Sequence, residues 1–158
     1  MKQIIYKTML VAGLSLMGAI ALTSCNKKDD NLDTAIALKQ ASQNDFATNV
    51  ANHDLTVAMA KDDGTDITAN FAGYTFKIVD SAATATSGVV TVANDLLSVT
   101  GTWFVDESFS KITFQFPTAV IPKLIFFNKE WGFKGTSSAT INLQPTDGED
   151  DAVQFVRK

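Results

Sequence analysis

Residues 96–116 read LLSVTGTWFVDESFSKITFQF, and they show a regular strand pattern. Apolar and polar residues alternate with a period of two on both sides of Asp106–Ser108, which is the pattern of two half-buried strands joined by a turn. Gly101 interrupts the first strand at a position where a bend is expected. The stretch therefore predicts an antiparallel hairpin with one apolar face, formed by Leu97, Val99, Trp103 and Val105 on Leu96–Val105 and by Ile112, Phe114 and Phe116 on Lys111–Phe116.

The same alternation extends in both directions from this hairpin. Leu55, Val57 and Met59 alternate with small or polar residues and end at Lys61–Gly64, whose Asp-Gly pair is a strong turn signal. Thr118–Asn128 contains Pro122 and an apolar cluster, which predicts a loop with a helical turn that covers the core. Further strands are predicted at Tyr74–Val79, Val89–Ala93, Glu130–Lys134, Ala139–Gln144 and Ala152–Arg157.

About eight strands joined by short turns leave no helix long enough for a parallel crossover. The prediction is an all-β domain over residues 53–158, an antiparallel eight-stranded meander that closes into a barrel or half-barrel. Closure is favoured because it removes the exposed edge strands. The length of 158 residues and the apolar fraction of 46% suit one such domain.

Composition excludes several classes of function. The net charge of −4 argues against a nucleic-acid partner, which needs a basic patch. One Cys and one His leave no internal disulfide and no ordinary zinc cluster. We therefore expect neither a metal nor another cofactor.

The first 24 residues have the order of a secretory signal peptide. Lys2 and Lys7 precede Met9–Leu22, whose 14 residues are too few for a transmembrane helix of about 20. The segment Leu22-Thr23-Ser24-Cys25 resembles the bacterial lipobox. That resemblance implies cleavage before Cys25 and its acylation, and two or three acyl chains give stable attachment to a bilayer.

The residues after Cys25 resemble a second targeting signal. Lys27, Lys28, Asp29 and Asp30 resemble the surface-export signal of lipoproteins from the Bacteroidota phylum, which implies the outer leaflet of the outer membrane. A plain solvated tether on a periplasm-facing lipoprotein is the alternative. Loss of two lysines with the signal peptide leaves 11 basic against 17 acidic residues, a net charge of −6, so the domain is expected to stand off an anionic membrane. Residues 25–34 are predicted to be a flexible tether, and residues 35–52 a short helical segment that Asp33 could cap.

Five short patterns lie within residues 54–158: Phe71-Ala72-Gly73-Tyr74-Thr75-Phe76, Gly101-Thr102-Trp103, Asn128-Lys129-Glu130-Trp131, Ile141 with Leu143, and Val153 with Phe155. In these patterns the segment resembles a group of uncharacterised lipocalin-like lipoproteins of Bacteroidota. The resemblance implies the barrel and no particular activity, since architecture does not carry function. The sequence departs from the group at Phe126-Phe127, where a Leu is expected before the Asn.

No motif predicts catalysis. His53 is the single imidazole, and without a Gly-x-Ser-x-Gly elbow it is best interpreted as an exposed residue at a strand end. Asp62–Asp66 and Asp147–Asp151 are rich in oxygen ligands, but they lack the downstream Glu of a calcium loop and suit solvated turns. No spacing indicates paired carboxylates for glycoside hydrolysis. We predict no catalytic residue.

The aromatic residues carry the open question. An eight-stranded barrel either is filled by side chains or holds one small ligand. The leading hypothesis is a monomeric, non-enzymatic surface lipoprotein that acts as a binding or interaction module, with the cover residues Phe126 and Phe127 or the acidic turns as its surface. The alternatives are a carrier or sensor of a small apolar ligand, a surface glycan-active enzyme, and a structural subunit of an envelope complex. The side chains that would either fill the core or line a cavity are Phe76, Trp103, Phe114, Phe116, Trp131, Phe133 and Phe155.

Overall fold

The computed structural model describes residues 27–80, 82, 85–117, 119 and 121–158. Helix α1 (Lys27–Asp45) leads into a π-helical turn, Phe46–Val50, before the first strand. Two 3-10 turns, Thr68–Phe71 and Pro122–Phe127, precede β3 and β7. The strands of the described residues are β1 (Asp54–Asp62), β2 (Thr65–Asp66), β3 (Thr75–Val79), β4 (Ser87–Ala93), β5 (Ser98–Val105), β6 (Lys111–Gln115), β7 (Glu130–Thr136), β8 (Thr140–Pro145) and β9 (Ala152–Arg157).

Eight of the strands form a closed antiparallel ring. From β3 to β9 each strand pairs with the next, β3 also pairs with β1, and β9 pairs back onto β1. The two-residue strand β2 pairs only with the end of β1 and lies outside the ring. The ring is uneven, since β1 and β3 share only two residue pairs while β4 and β5 share seven. The predicted all-β meander and its closure are confirmed.

The ring has two ends that differ in what covers them. The end where β1 begins, here called the helix end, carries the π-helical turn Phe46–Val50 and the β5–β6 turn. The opposite end, here called the loop end, carries the β1–β2 hairpin and both 3-10 turns. Buried apolar side chains from the strands and from both sets of covering residues form one continuous core.

Helix α1 begins earlier than the sequence predicts. It starts at Lys27 rather than at residue 35, so it runs through most of the segment predicted as a tether. The physical reason is that residues 26–50 contain neither Gly nor Pro, so nothing stops helix propagation. Residues 32–41 are all exposed, including Leu38 at 65%. Among the described residues, no helix is both long and apolar enough to cross a membrane.

Two strand details also differ from the alternation pattern. A register shift between Val57 and Met59 in the β1–β9 pairing turns Ala60, not Met59, into the core. Leu97 is predicted to lie in β5, but it belongs to the preceding turn, where the Asn94 side chain accepts hydrogen bonds from the amides of Leu96 and Leu97 at 2.9 and 3.0 Å. The strand therefore begins at Ser98.

Candidate functional site

The predicted aromatic cluster lies in the barrel interior. Phe133 is the member of the seven that is only partly buried, and it packs against the rim of the core. Since six rings have at most 5% of their surface exposed, little of the cluster is accessible to solvent. Those six are Phe76, Trp103, Phe114, Phe116, Trp131 and Phe155.

An eighth ring occupies the centre of this cluster. Phe127, the last residue of the Pro122–Phe127 turn, enters from the loop end and is fully buried. Its centroid lies between 5.0 and 6.4 Å from seven other aromatic rings, so it fills the space between opposite walls of the barrel. The seven neighbours are Phe71, Phe76, Phe114, Phe116, Phe126, Trp131 and Phe155.

Both tryptophans hold their indole groups by hydrogen bonds to the backbone. Trp103 donates from Nε1 to the carbonyl of Val79 at 3.0 Å, and Trp131 donates to the carbonyl of Phe127 at 3.1 Å. Gly88 pairs with Trp103 across β4 and β5, and a Cβ on Gly88 would lie 2.8 Å from the indole nitrogen. A buried Trp needs a partner for its N–H, and these contacts supply it.

The Asn128–Trp131 motif fastens the Pro122–Phe127 turn to the barrel. The Asn128 side chain accepts from the amide of Phe116 at 2.6 Å and donates to its carbonyl at 2.9 Å, so it continues the pairing of β6. Glu130 accepts hydrogen bonds from Lys111 at 2.9 Å and from Thr146 at 2.5 Å. The side chains of Asn128 and Glu130 thus both form hydrogen bonds with other parts of the barrel.

Lys129, the remaining polar member, forms an ion pair below the surface. Its ammonium contacts the carboxylates of Glu149 and Asp151, and Asp151 is 3% exposed. Burial alone would raise the pKa of Asp151, but the hydrogen bonds from Lys129 and from the amide of Asp63 hold it below its ordinary value. Burial likewise opposes the charge of Lys129, yet its two carboxylate partners raise the pKa to about 12.

The two acidic turns meet at the loop end. The Asp63 amide donates to Asp151 Oδ1 at 2.7 Å, and the Gly64 amide donates to the carbonyl of Asp150 at 2.8 Å. The β1–β2 turn is therefore docked onto the turn that precedes β9. Among the described residues, no group of three or more His, Cys, Asp or Glu side chains is placed to hold a metal ion.

His53 lies at the helix end, where it is partly buried. Its Nε2 is 2.9 Å from the carbonyl oxygen of Thr48. The same oxygen accepts a hydrogen bond from Arg157 at 2.6 Å, so the two side chains tie the π-helical turn to the start of β1 and the end of β9.

A groove lies at the foot of helix α1. It has a volume of about 470 Å³ and opens at the helix end between α1, the β5–β6 turn and the end of β7. A second groove of about 400 Å³ adjoins it, since both are lined by Ser42 and Ser110. The charged and aromatic residues that line the larger groove are Asp45, Phe46, Phe109, Phe133 and Lys134.

Sequence reasoning missed two of these aromatic residues. Phe46 lies against Trp103, Phe109 and Phe133, with ring centroids 5.1, 5.8 and 6.2 Å away, and it closes the helix end of the barrel. Phe109 sits in the β5–β6 turn, outside any strand alternation. Two features of the sequence could have indicated them. Phe46 is a lone large aromatic residue at the end of a polar helical segment, and Phe109 is one inside a short turn.

The predicted lipidation segment lies outside the described residues. This holds for Leu22, Thr23, Ser24 and Cys25, whose assignment stays a prediction. Lys27, Lys28, Asp29 and Asp30 lie in the first turn of α1.

Comparison of the chain with protein-family models, with curated proteins and with solved structures found no match.

Proposed function

We propose that the chain is a lipid-anchored surface lipoprotein of the outer membrane whose lipocalin-like barrel is a non-enzymatic binding module. The observation that carries the binding part is the position of Phe127. Its ring occupies the place that an apolar ligand would take in a carrier, which favours binding on the outside of the barrel. The anchoring part is carried by the segment Leu22–Cys25 and by the order of charges before and after it.

The shape of α1 supports a domain held away from the bilayer. The helix starts two residues after Cys25 and extends for 19 residues, about 28 Å at 1.5 Å per residue. Its described side chains are exposed up to Ala41, and they show no apolar stripe that would lay the helix on a membrane. An acylated Cys25 would then place the barrel about one helix length from the surface.

The anchor is tested by labelling growing cells with radioactive palmitate. We expect wild-type protein to carry the label and to sediment with membranes, and we expect Cys25→Ser to lose both properties. Ser24→Ala is the control, because it keeps a small residue before the Cys. A labelled Cys25→Ser variant would contradict the anchoring proposal.

Surface export is tested by protease treatment of whole cells. The variant with alanine at Lys27, Lys28, Asp29 and Asp30 is expected to become protected from the protease.

The filled interior is tested with the two tryptophans. Both indoles are fully buried inside the barrel, so their fluorescence reports on anything that enters it. We expect dibromostearate, an apolar quencher, to leave this fluorescence unchanged in folded protein. Saturable quenching that persists in Trp103→Phe, which removes the indole in contact with the groove residue Phe46, would instead support the carrier hypothesis.

A further inference from the structure

The groove at the foot of α1 has the size and lining of a small-molecule site. Its volume of about 470 Å³ falls in the range of ligand pockets, about 300–1,000 Å³. Such pockets combine an apolar floor with a few polar groups that fix orientation. The floor and the polar groups can be assigned here residue by residue.

Three aromatic rings form the floor. Phe46 and Phe109 are almost fully buried, whereas Phe133 keeps part of its surface accessible in the groove. A register shift between Phe133 and Gly135 in the β7–β8 pairing displaces this part of β7 from regular pairing. The accessible surface of Phe133 therefore lies next to a register shift of β7, at the edge of the core.

The turn that supplies Phe109 is held in an unusual backbone conformation. Phe109 has φ of +56°, which is uncommon for a bulky residue. The conformation is fixed by Asp106, which accepts hydrogen bonds from the amides of Ser110 and Lys111 at 2.7 and 2.8 Å, while the amide of Phe109 donates to the Asp106 carbonyl at 3.0 Å. The backbone of Phe109 thus holds its ring in place against the groove before any ligand arrives.

Two charged residues line the groove, and their side chains differ in what they already bind. Asp45 accepts hydrogen bonds from Thr136 and from Asn49, the latter at 2.7 Å. Lys134 is exposed, and its side chain has no hydrogen bond or ion pair to any of the described residues. An ammonium group without a partner beside an apolar floor suits a ligand that brings its own anion.

We propose that this groove binds a small molecule made of a flat apolar ring that carries a carboxylate, with the ring against Phe133 and the carboxylate on the ammonium of Lys134. Ser42, also in the lining, lies within the part of the groove that continues along α1. The inference deepens the proposed binding function and rests on it, because it names the class of ligand.

The test adds naphthalene-2-carboxylate, the probe, to the full mature chain. Binding is followed through the amide chemical shifts of the protein. We expect saturable shifts at the residues of the groove and a weaker interaction with naphthalene-2-carboxamide, the uncharged analogue. Lys134→Gln is expected to weaken carboxylate binding about fivefold and to leave carboxamide binding unchanged. Phe133→Leu is expected to weaken both. Lys61→Gln, an exposed lysine at the loop end, is the matched control and should change neither.

Equal affinity for the carboxylate and the carboxamide would overturn the role of Lys134, and with it the proposal. Shifts confined to other surfaces would also overturn this site while leaving an outer-surface binding module standing. Shifts at interior residues such as Phe114 and Phe155 would instead contradict the filled barrel and the proposed function itself. The state of Cys25 is read separately by mass spectrometry of the same sample, so the anchor does not depend on the binding result.

Discussion

At the scale of single residues, Phe127 has the largest consequence for function. It comes from a turn and not from a strand, yet it contacts rings from several walls of the barrel. A loop residue that completes a core in this way couples the shape of the loop to the stability of the whole domain. It also decides between a filled barrel and a cavity.

Phe127→Ala should therefore destabilise the domain and open a cavity. We expect the free energy of unfolding to fall by about 3–5 kcal/mol, the usual cost of removing a buried Phe ring. An apolar cavity of that size stays dry and takes up small apolar ligands, so xenon or benzene should bind the variant and not the wild type. Ile125→Ala is the control in the same turn, since Ile125 is 59% exposed. A loss below about 1 kcal/mol for Phe127→Ala would contradict the filled interior.

The Lys129–Asp151 pair makes a prediction about pH. In Lys129→Met, Asp151 stays buried without its cation, and we expect a loss of about 1–3 kcal/mol at pH 7. In the wild type the pKa of Asp151 lies below 3.8 in the folded state, so its stabilisation is present above that pH and is lost as the pH falls further. In the variant Lys129 no longer opposes the effect of burial, so the folded pKa of Asp151 is higher than in the wild type and protonation relieves the penalty as the pH falls.

The difference in stability between the two proteins should therefore shrink below about pH 4, as measured by urea unfolding across a pH series. Lys111→Met is the matched control. It removes an ion pair with Glu130 in which both side chains are more than 40% exposed, so only a small and salt-dependent change is expected. A difference that stays constant from pH 7 to pH 3 would contradict the assignment to Asp151.

At the scale of elements, two strand glycines have different reasons to be there. A Cβ on Gly101 in β5 would lie 2.5 Å from the carbonyl oxygen of Gln115 and 2.6 Å from the ring of Phe116. A Cβ on Gly132 in β7 would be at least 3.6 Å from its neighbours, an ordinary contact distance. Only the first site requires the absence of a side chain.

We expect Gly101→Ala to cost about 1–3 kcal/mol, because β5 and β6 would have to move apart. Gly132→Ala is the matched control, and it should be neutral or slightly stabilising because Ala has less freedom in the unfolded chain. Thermal unfolding of the two variants measures both. A Gly101→Ala variant as stable as Gly132→Ala would argue against close packing of β5 on β6.

The strands were predictable from sequence to the extent that alternation is a local property. β5 and β6 follow their apolar pattern closely, and the loop with a helical turn before β7 is present as predicted. The exchange of Met59 for Ala60 was not predictable, because a bulge depends on how β1 pairs with the distant strand β9. The central position of Phe127 and the groove between α1 and Lys134 likewise depend on contacts that form only once the ring has closed.

At the scale of the whole molecule, the barrel and helix α1 differ in how much they contribute to stability. The barrel contains the continuous core and is closed by pairing its first strand with its last. Most of α1 buries nothing in the described structure, and only its last turn and the residues after it reach the barrel. The described part of the long helix therefore contributes little to whether the barrel folds.

Two truncations test this division. Deletion of residues 151–158 removes β9 with the buried Asp151, Val153 and Phe155, and it leaves β1 and β8 with unpaired edges. We expect that protein to lose its cooperative thermal transition, because the ring can no longer close. Deletion of residues 26–40 takes away nearly twice as many residues but no described buried side chain, so the midpoint should move by a few °C at most. Cooperative unfolding after loss of β9 would mean that the open sheet is stable by itself, whereas a large fall after loss of the helix would mean that α1 packs on the barrel rather than extending from it.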